Sequence, residues 1–397
     1  MRVLFAINGL GTGGAERSLS EMLPGLIARG VTPRVVCLYS RREGVEAEVR
    51  RHGVPVEVLS GLLPARLRRL RRLINQERPD LIHTTLFEAN LIGGLAAARS
   101  GVPVLMSLVN TPYVAARLQD PHIHPLRLGA VRAVDAWMSR LLAWHFHAIT
   151  EAVKNAAVRT LRISPARITV VERGRSALRL GARGEERRRQ VRGQLGIPED
   201  DQVLITVGRQ EYQKGHRFLL QALALLQSSR PRLRLLLAGR SGYANEELIR
   251  LNSALGLKDR VWFMGHREDV PDLLAAADLF VFPSLWEGLG GAVIEAMALG
   301  LPVVASDIPA LREVVEAGYN AELVPAGSPH ELARAISALL DDPERAQSFG
   351  ARSRQIFEAR FTLDRCTERM LDLYEKVAAM ATGGTTRTPR RVPSPVG

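Results

Sequence analysis

The stretch from Leu279 to Ala305 narrows the possible folds more than any other part of the chain. Leu279-Phe-Val-Phe282 is a short apolar run of the kind that becomes a strand buried on both faces, as in a parallel sheet. Pro283 and Ser284 stop it, and Gly288, Gly290 and Gly291 permit tight turning and close approach of backbone to a ligand. From Ala292 the residues favour helix, until Gly300-Leu-Pro302 ends it before the next apolar strand. Strand, glycine loop and helix in that order leave free amide N–H groups at the helix start, a ready anion site. Glu287 stands at the mouth of the loop and Glu295 in the opening turns of the helix. Acids beside an anion site suit a ligand that carries both phosphate and hydroxyls, such as a nucleotide sugar.

A chain of 397 residues is too long for one ordinary core, so two domains are expected. The formal net charge of +13 attracts anions: nucleotides, acidic lipid surfaces or nucleic acid. Aromatic residues make up only 5%, without basic–aromatic interleaving, which argues against nucleic acid. No run approaches about 18 uninterrupted apolar residues, so no spanning helix is expected. Cys37 and Cys366 have neither metal-type spacing nor a disulfide framework, which fits a reducing cytosol.

Residues 2–8 read as a strand rather than a secretion signal, and a glycine loop follows it. There Gly9, Gly11 and Gly14 satisfy G-x-G-x-x-G in a strand-to-helix setting. The next strand, 34–39, ends in Ser40-Arg41-Arg42 instead of the acid that would hold a ribose, which leaves an NADP site open. A helix near 64–75 puts Leu67, Leu70, Leu73 and Ile74 on one face, with arginines at 66, 68, 69, 71 and 72 around the rest. It is either an ordinary surface helix or a patch for anionic lipid headgroups. His83 falls at a strand end, where α/β folds place ligands, and Asn110 ends the strand 104–109. His145 and His147 are expected to be structural, and Trp137 and Trp144, seven apart, to form a core stripe. The arginine-rich stretch 173–193 reads as a connection with a solvated helix. Beyond it Arg209 and Lys214 stand five apart after the strand 203–207, and further strand–helix units follow to about residue 325.

The second half carries, in order, Gly265, Val270-Pro-Asp-Leu-Leu274, Ala277-Asp278, Pro283-Ser284, Glu287-Gly288, Glu295-Ala-Met-Ala298 and Gly300-x-Pro302. This series resembles glycosyltransferase family 4, retaining enzymes of the GT-B architecture, and the likeness is dense over about residues 200–345. The resemblance implies two doubly wound Rossmann-like α/β domains facing a cleft. The acceptor side would span residues 1–180, a basic connection 181–200 and the nucleotide-sugar side 201–362. A helix at 363–380 would cross back to the first domain, before a disordered tail at 381–397. Gly13 and Gly14 would lie over the donor's phosphates, and Arg209 and Lys214 would grip its diphosphate. Glu287 would orient the sugar, Glu295 the ribose, and the amides of Gly288, Gly290 and Gly291 would face the phosphates. His83 and Asn110 fall on the acceptor or sugar side, with Asn110 at a strand end where relatives often carry histidine.

No Asp-x-Asp occurs, so no metal is expected and protein cations would replace one. The expected donor is a UDP-sugar or GDP-mannose, and the acceptor a glycan or a lipid-linked glycan. The protein would be cytoplasmic, touching the inner face of the cell membrane through residues 66–72. A sugar-nucleotide epimerase of the same architecture and an NADP-dependent oxidoreductase are the rivals.

Overall fold

The computed structural model describes residues 1–381. Thirteen short strands, most of them apolar and buried, pair in parallel because each is joined to the next through a crossover that usually contains a helix. The first seven are β1 (Arg2–Ile7), β2 (Thr32–Cys37), β3 (Val56–Val58), β4 (Leu81–Thr85), β5 (Val104–Leu108), β6 (His145–Ala148) and β7 (Ile168–Val170). They form one sheet in the order β3-β2-β1-β4-β5-β6-β7. The other six are β8 (Gln202–Val207), β9 (Leu233–Ala238), β10 (Val261–Gly265), β11 (Leu279–Phe282), β12 (Val303–Ser306) and β13 (Ala321–Val324), in the order β10-β9-β8-β11-β12-β13. Each sheet therefore reverses its winding once, between β1 and β4 and between β8 and β11. A crevice opens at the carboxyl ends of the strands where such a reversal occurs. The architecture is the expected pair of doubly wound α/β lobes.

The chain crosses between lobes at two points that lie side by side. The backbone N–H of Arg175 donates to Phe361 O at 2.9 Å, and that of Leu363 to Arg175 O at 3.0 Å. After the second crossing, helix Leu363–Ala381 packs on the first lobe, where Met370, Leu373, Tyr374 and Val377 share a core with Val3, Phe5, Leu23 and Leu26. A second apolar cluster runs without a break from Ile82 and Met106 in the first sheet to Phe280 and Val303 in the second. Among the described residues no helix is long and apolar enough to cross a membrane. Of the tail 381–397, only Ala381 lies within the described residues.

Two expectations fail. Trp137 and Trp144 are about half exposed and form no core stripe. The helix that carries Trp137 ends at Leu141, and Trp144 lies beyond it with its N–H bonded to Val104 O at 2.9 Å, so the seven-residue spacing does not place the two on one helical face. The arginine-rich connection is not simply solvated either. Arg192 on helix Glu185–Leu195 is fully buried, donating to Ala276 O at 2.9 Å and Asp201 O at 2.8 Å and pairing with Asp278 at 2.7 Å. A guanidinium has five donors, so a ring of carbonyls and one carboxylate can satisfy it inside the protein.

Candidate active site between the lobes

The loops that follow β8 and β11 are laced together. Leu285 N–H donates to Gln213 O at 2.8 Å, and Gln213 Nε2 returns a bond to Trp286 O at 2.7 Å. This brings Lys214 to Glu287, with Nζ 2.5 Å from Oε1 and both side chains mostly buried. The ammonium also stands 5.1 Å from the centroid of Phe282. Arg209, from the same loop, is half exposed and pairs with Glu211 at 2.7 Å. Among the described residues Ser284 Oγ and His216 Nδ1, on these two segments, are buried without a hydrogen-bond partner. Burial, and then the charge of Lys214, hold His216 down at about 3, so its ring is neutral near pH 7.

Loop 283–290 reaches across to the first lobe. Thr150 Oγ1 donates to Gly288 O at 2.8 Å and Thr111 Oγ1 to Glu287 O at 3.4 Å. A β-carbon at position 288 would come within 2.3 Å of Val109 O, so only glycine permits this approach. Nearby, the carboxylate of Glu313 accepts the N–H groups of Glu151 and Ala152, at 2.8 and 2.6 Å, and so caps a first-lobe helix from the second lobe.

Helix Gly291–Ala298 starts from this loop and carries Glu295. Arg175 donates to Glu295 Oε1 at 2.9 Å, and Arg179 reaches the same oxygen at 3.2 Å. Among the described residues Oε2 receives no hydrogen bond. Arg179 Nε also lies 2.7 Å from Glu21 Oε1, an ion pair without the alignment of a hydrogen bond. Arg175 bonds Ser18 Oγ at 3.2 Å. Ser18 and Glu21 belong to helix Gly14–Ala28, which begins at the Gly13-Gly14 loop. Two guanidiniums and two carboxylates thus close a neutral, largely buried cluster over both lobes. Burial pushes the Glu21 carboxyl up despite the two arginines. The Arg175 guanidinium is pressed against Gly291, where a β-carbon would sit 2.0 Å from Nη2.

Arg175, Arg179 and Glu21 are functional candidates that sequence reasoning does not single out. In the sequence both arginines belong to the arginine-rich stretch 173–193, where nothing sets them apart from their neighbours.

His83 lies in mid-strand rather than at the strand's edge, and its ring is sealed. One nitrogen bonds Tyr374 OH at 2.7 Å, and the other Ser107 Oγ at 2.7 Å. Ser107 continues to His147 at 2.8 Å, whose second nitrogen bonds Val171 O at 2.8 Å. Burial, with His147 and Arg173 nearby, drives His83 well below the usual imidazole range, and His147 down to about 3. Asn110 does face open space, beside a cavity of about 500 Å³ in the first lobe. Its Oδ1 accepts the N–H of Thr111 at 2.8 Å. The site therefore collects Lys214, Glu287, Glu295 and the second glycine loop, and helix Gly14–Ala28 joins it through Ser18 and Glu21. His83 stands apart.

Residues 187–356 match the family described as Glycosyl transferases group 1, and residues 12–176 match Glycosyltransferase Family 4. A D-inositol 3-phosphate glycosyltransferase of Thermobispora bispora is 30% identical over 377 residues, spanning 89% of this chain and 81% of that protein. An alpha-D-kanosaminyltransferase of Streptomyces kanamyceticus is 27% identical over 286 residues, covering 65% of this chain and 73% of its own. Among solved structures, HepE of Anabaena in complex with UDP-glucose superposes with a TM-score of 0.83 at 23% identity, over 95% of this chain and 100% of that one.

Proposed function

The chain belongs to the group 1 glycosyltransferases of family 4, retaining enzymes with the GT-B architecture, and from that premise we propose its donor, acceptor and catalytic residues. It moves a hexose-type sugar from a UDP- or GDP-linked donor to a glycan or lipid-linked acceptor in cell-envelope polysaccharide or glycolipid synthesis. The UDP-glucose held by the Anabaena protein supports a UDP-linked donor. The observation that carries the reading is the buried Lys214–Glu287 pair beside the start of helix Gly291–Ala298.

The acceptor hydroxyl attacks the anomeric carbon on the face that the leaving diphosphate occupies. The new carbon–oxygen bond forms as the bond to the β-phosphate breaks, and the acceptor's proton passes to a phosphate oxygen. No protein base is then required, which suits Asn110. An ammonium has three donors, so Lys214 can hold Glu287 and a phosphate oxygen together. Arg209 and the amides of Gly290 and Gly291 add to the charge that meets the departing diphosphate. Glu287 orients the sugar. Glu295, fixed through one oxygen by Arg175 and Arg179, offers the other to the ribose diol. The NADP reading of the first glycine loop gives way to family membership.

Saturation-transfer NMR against UDP-glucose, GDP-mannose and NADP tests the donor class, and turnover in EDTA tests the replacement of a metal by Arg209 and Lys214. Signals from NADP alone would overturn the donor assignment. Activity that returned only with Mg²⁺ or Mn²⁺ would overturn the metal-free one.

A further inference from the structure

The cavity beside Asn110 has the wrong chemistry for a sugar alone. Its interior is walled by Phe87, Leu128, Val131 and Leu161, and Arg117 and Arg127 also line it. Asp135 is the one acid among its lining residues, and it is tied to Tyr113 OH at 2.8 Å. Burial raises that carboxyl, so this wall opposes an anion less than an open carboxylate would. An apolar bore with cations beside it matches an amphiphile with an anionic head.

Among the described residues nothing covers the outer face of the helix over the cavity. Of the residues in Pro125–Leu141 only Met138 and Ser139 are buried, while Leu126, Trp137 and Leu141 are 79%, 50% and 65% exposed. Val134, Trp137 and Leu141 share one helical face, which Arg127 extends toward the helix start and exposed Arg140 flanks, while Arg132 is exposed on the far side. Val131 is exposed and also lines the cavity, so the outer surface and the bore are continuous. Apolar side chains with tryptophan, accompanied by exposed arginines, are the composition of a helix that lies in a lipid interface. On the same side of the first sheet, helix Leu63–Glu77 adds exposed arginines at 68, 69, 71 and 72. The charge complement of this whole surface is an anionic bilayer.

We infer that helix Pro125–Leu141 seats the enzyme on an anionic lipid surface, and that the cavity receives the apolar segment of a membrane-anchored acceptor whose anionic headgroup meets Arg117 and Arg127. The inference deepens the transferase reading and rests on it.

The full-length protein is titrated with decyl phosphate, methyl phosphate and decanol while tryptophan fluorescence is followed. It is also sedimented with phosphatidylcholine vesicles, with and without phosphatidylglycerol. Decyl phosphate should bind at least about a hundredfold more tightly than methyl phosphate, since each buried methylene contributes severalfold. Arg127→Gln should weaken decyl phosphate about fivefold. Ala157→Phe, which fills the bore, should abolish its binding, and Leu128→Trp serves the same purpose if that variant fails to fold. Trp137→Ser with Leu141→Ser should reduce sedimentation about tenfold with phosphatidylglycerol vesicles. Equal affinity for the two phosphates, decyl phosphate binding untouched by bore-filling, or sedimentation unchanged by the helix variants would each overturn the inference. UDP binding is measured on the same samples. UDP that failed to bind while decyl phosphate bound would overturn the transferase reading, and the reverse would overturn the inference alone.

Discussion

The two lobes offer their ligands opposite kinds of surface. On the second, charge is already paired and packed: Lys214 on Glu287, and Glu295 between Arg175 and Arg179. On the first, the corresponding space is an open cavity of about 500 Å³ under a largely uncovered helix. The interiors differ in the reverse sense. The second sheet is filled by hydrocarbon such as Leu204, Phe280 and Val303, whereas a chain of His83, Ser107 and His147 crosses the first. A site that must stabilise developing charge gains from groups fixed in advance, because nothing reorganises at the moment of reaction. A site that must fit a particular acceptor gains from shape. The difference assigns electrostatics to the second lobe and selection to the first.

Acid should break the comparison most. His83 and His147 are neutral and sealed in the first lobe, against His216 in the second, and all three are held far below the free imidazole value. The unfolded chain takes up protons below about pH 6.5 that the folded chain refuses, so stability is full above that value and falls as pH drops toward about 3. Each group contributes on the order of 1 kcal/mol per pH unit in that window. Hydrogen exchange at pH 7 and pH 5 should show the first lobe opening first. Earlier opening of the second would mean that the histidine chain is not its weak point.

Glu287→Gln comes next, with kcat down about a hundredfold and donor KM little changed, as for loss of one preorganised group. Glu295→Gln should instead raise donor KM about tenfold and spare kcat, because a ribose contact is made equally in ground and transition states. Steady-state kinetics with donor varied at saturating acceptor separates the two. The opposite pattern would mean that these roles are exchanged. The smallest effect is expected at the basic helix. Arg69 is already held by Glu57 at 2.6 Å and Arg71 by Leu95 O at 3.1 Å, which leaves them less free for lipid. Changing Arg68, Arg69 and Arg71 to glutamine should lower sedimentation with anionic vesicles about fivefold. No change would return helix Leu63–Glu77 to an ordinary solvated surface.

What could be read from the sequence follows the same division. The second-lobe loops are contiguous in the chain, so strand, glycines and acids appear together between Leu279 and Ala305 and one window reveals them. The cavity is assembled from residues scattered between Leu86 and Leu161, and no window contains it. Trp137 and Trp144 show a related blindness, since the spacing suggests a common face but does not reveal that the helix ends at Leu141, between them. His83 looked like a strand-end ligand because its partners, Ser107 and Tyr374, lie 24 and 291 residues away. Arg175 and Arg179 were hidden by their setting, an arginine-rich run in which two inward-turned guanidiniums look like the rest.

The doubled crossing between lobes bears on how the molecule is made. The ribosome completes β1 to β7 first, yet Met370, Leu373, Tyr374 and Val377, which close the core against Val3 and Phe5, come only after the whole second lobe. At about 5–20 residues per second that interval is roughly 10 to 40 s. Throughout it the nascent first lobe shows bare hydrocarbon, and His83 lacks the hydroxyl that will bond it. The earliest-made half is therefore the last to be sealed, and it is the half a chaperone should hold during translation.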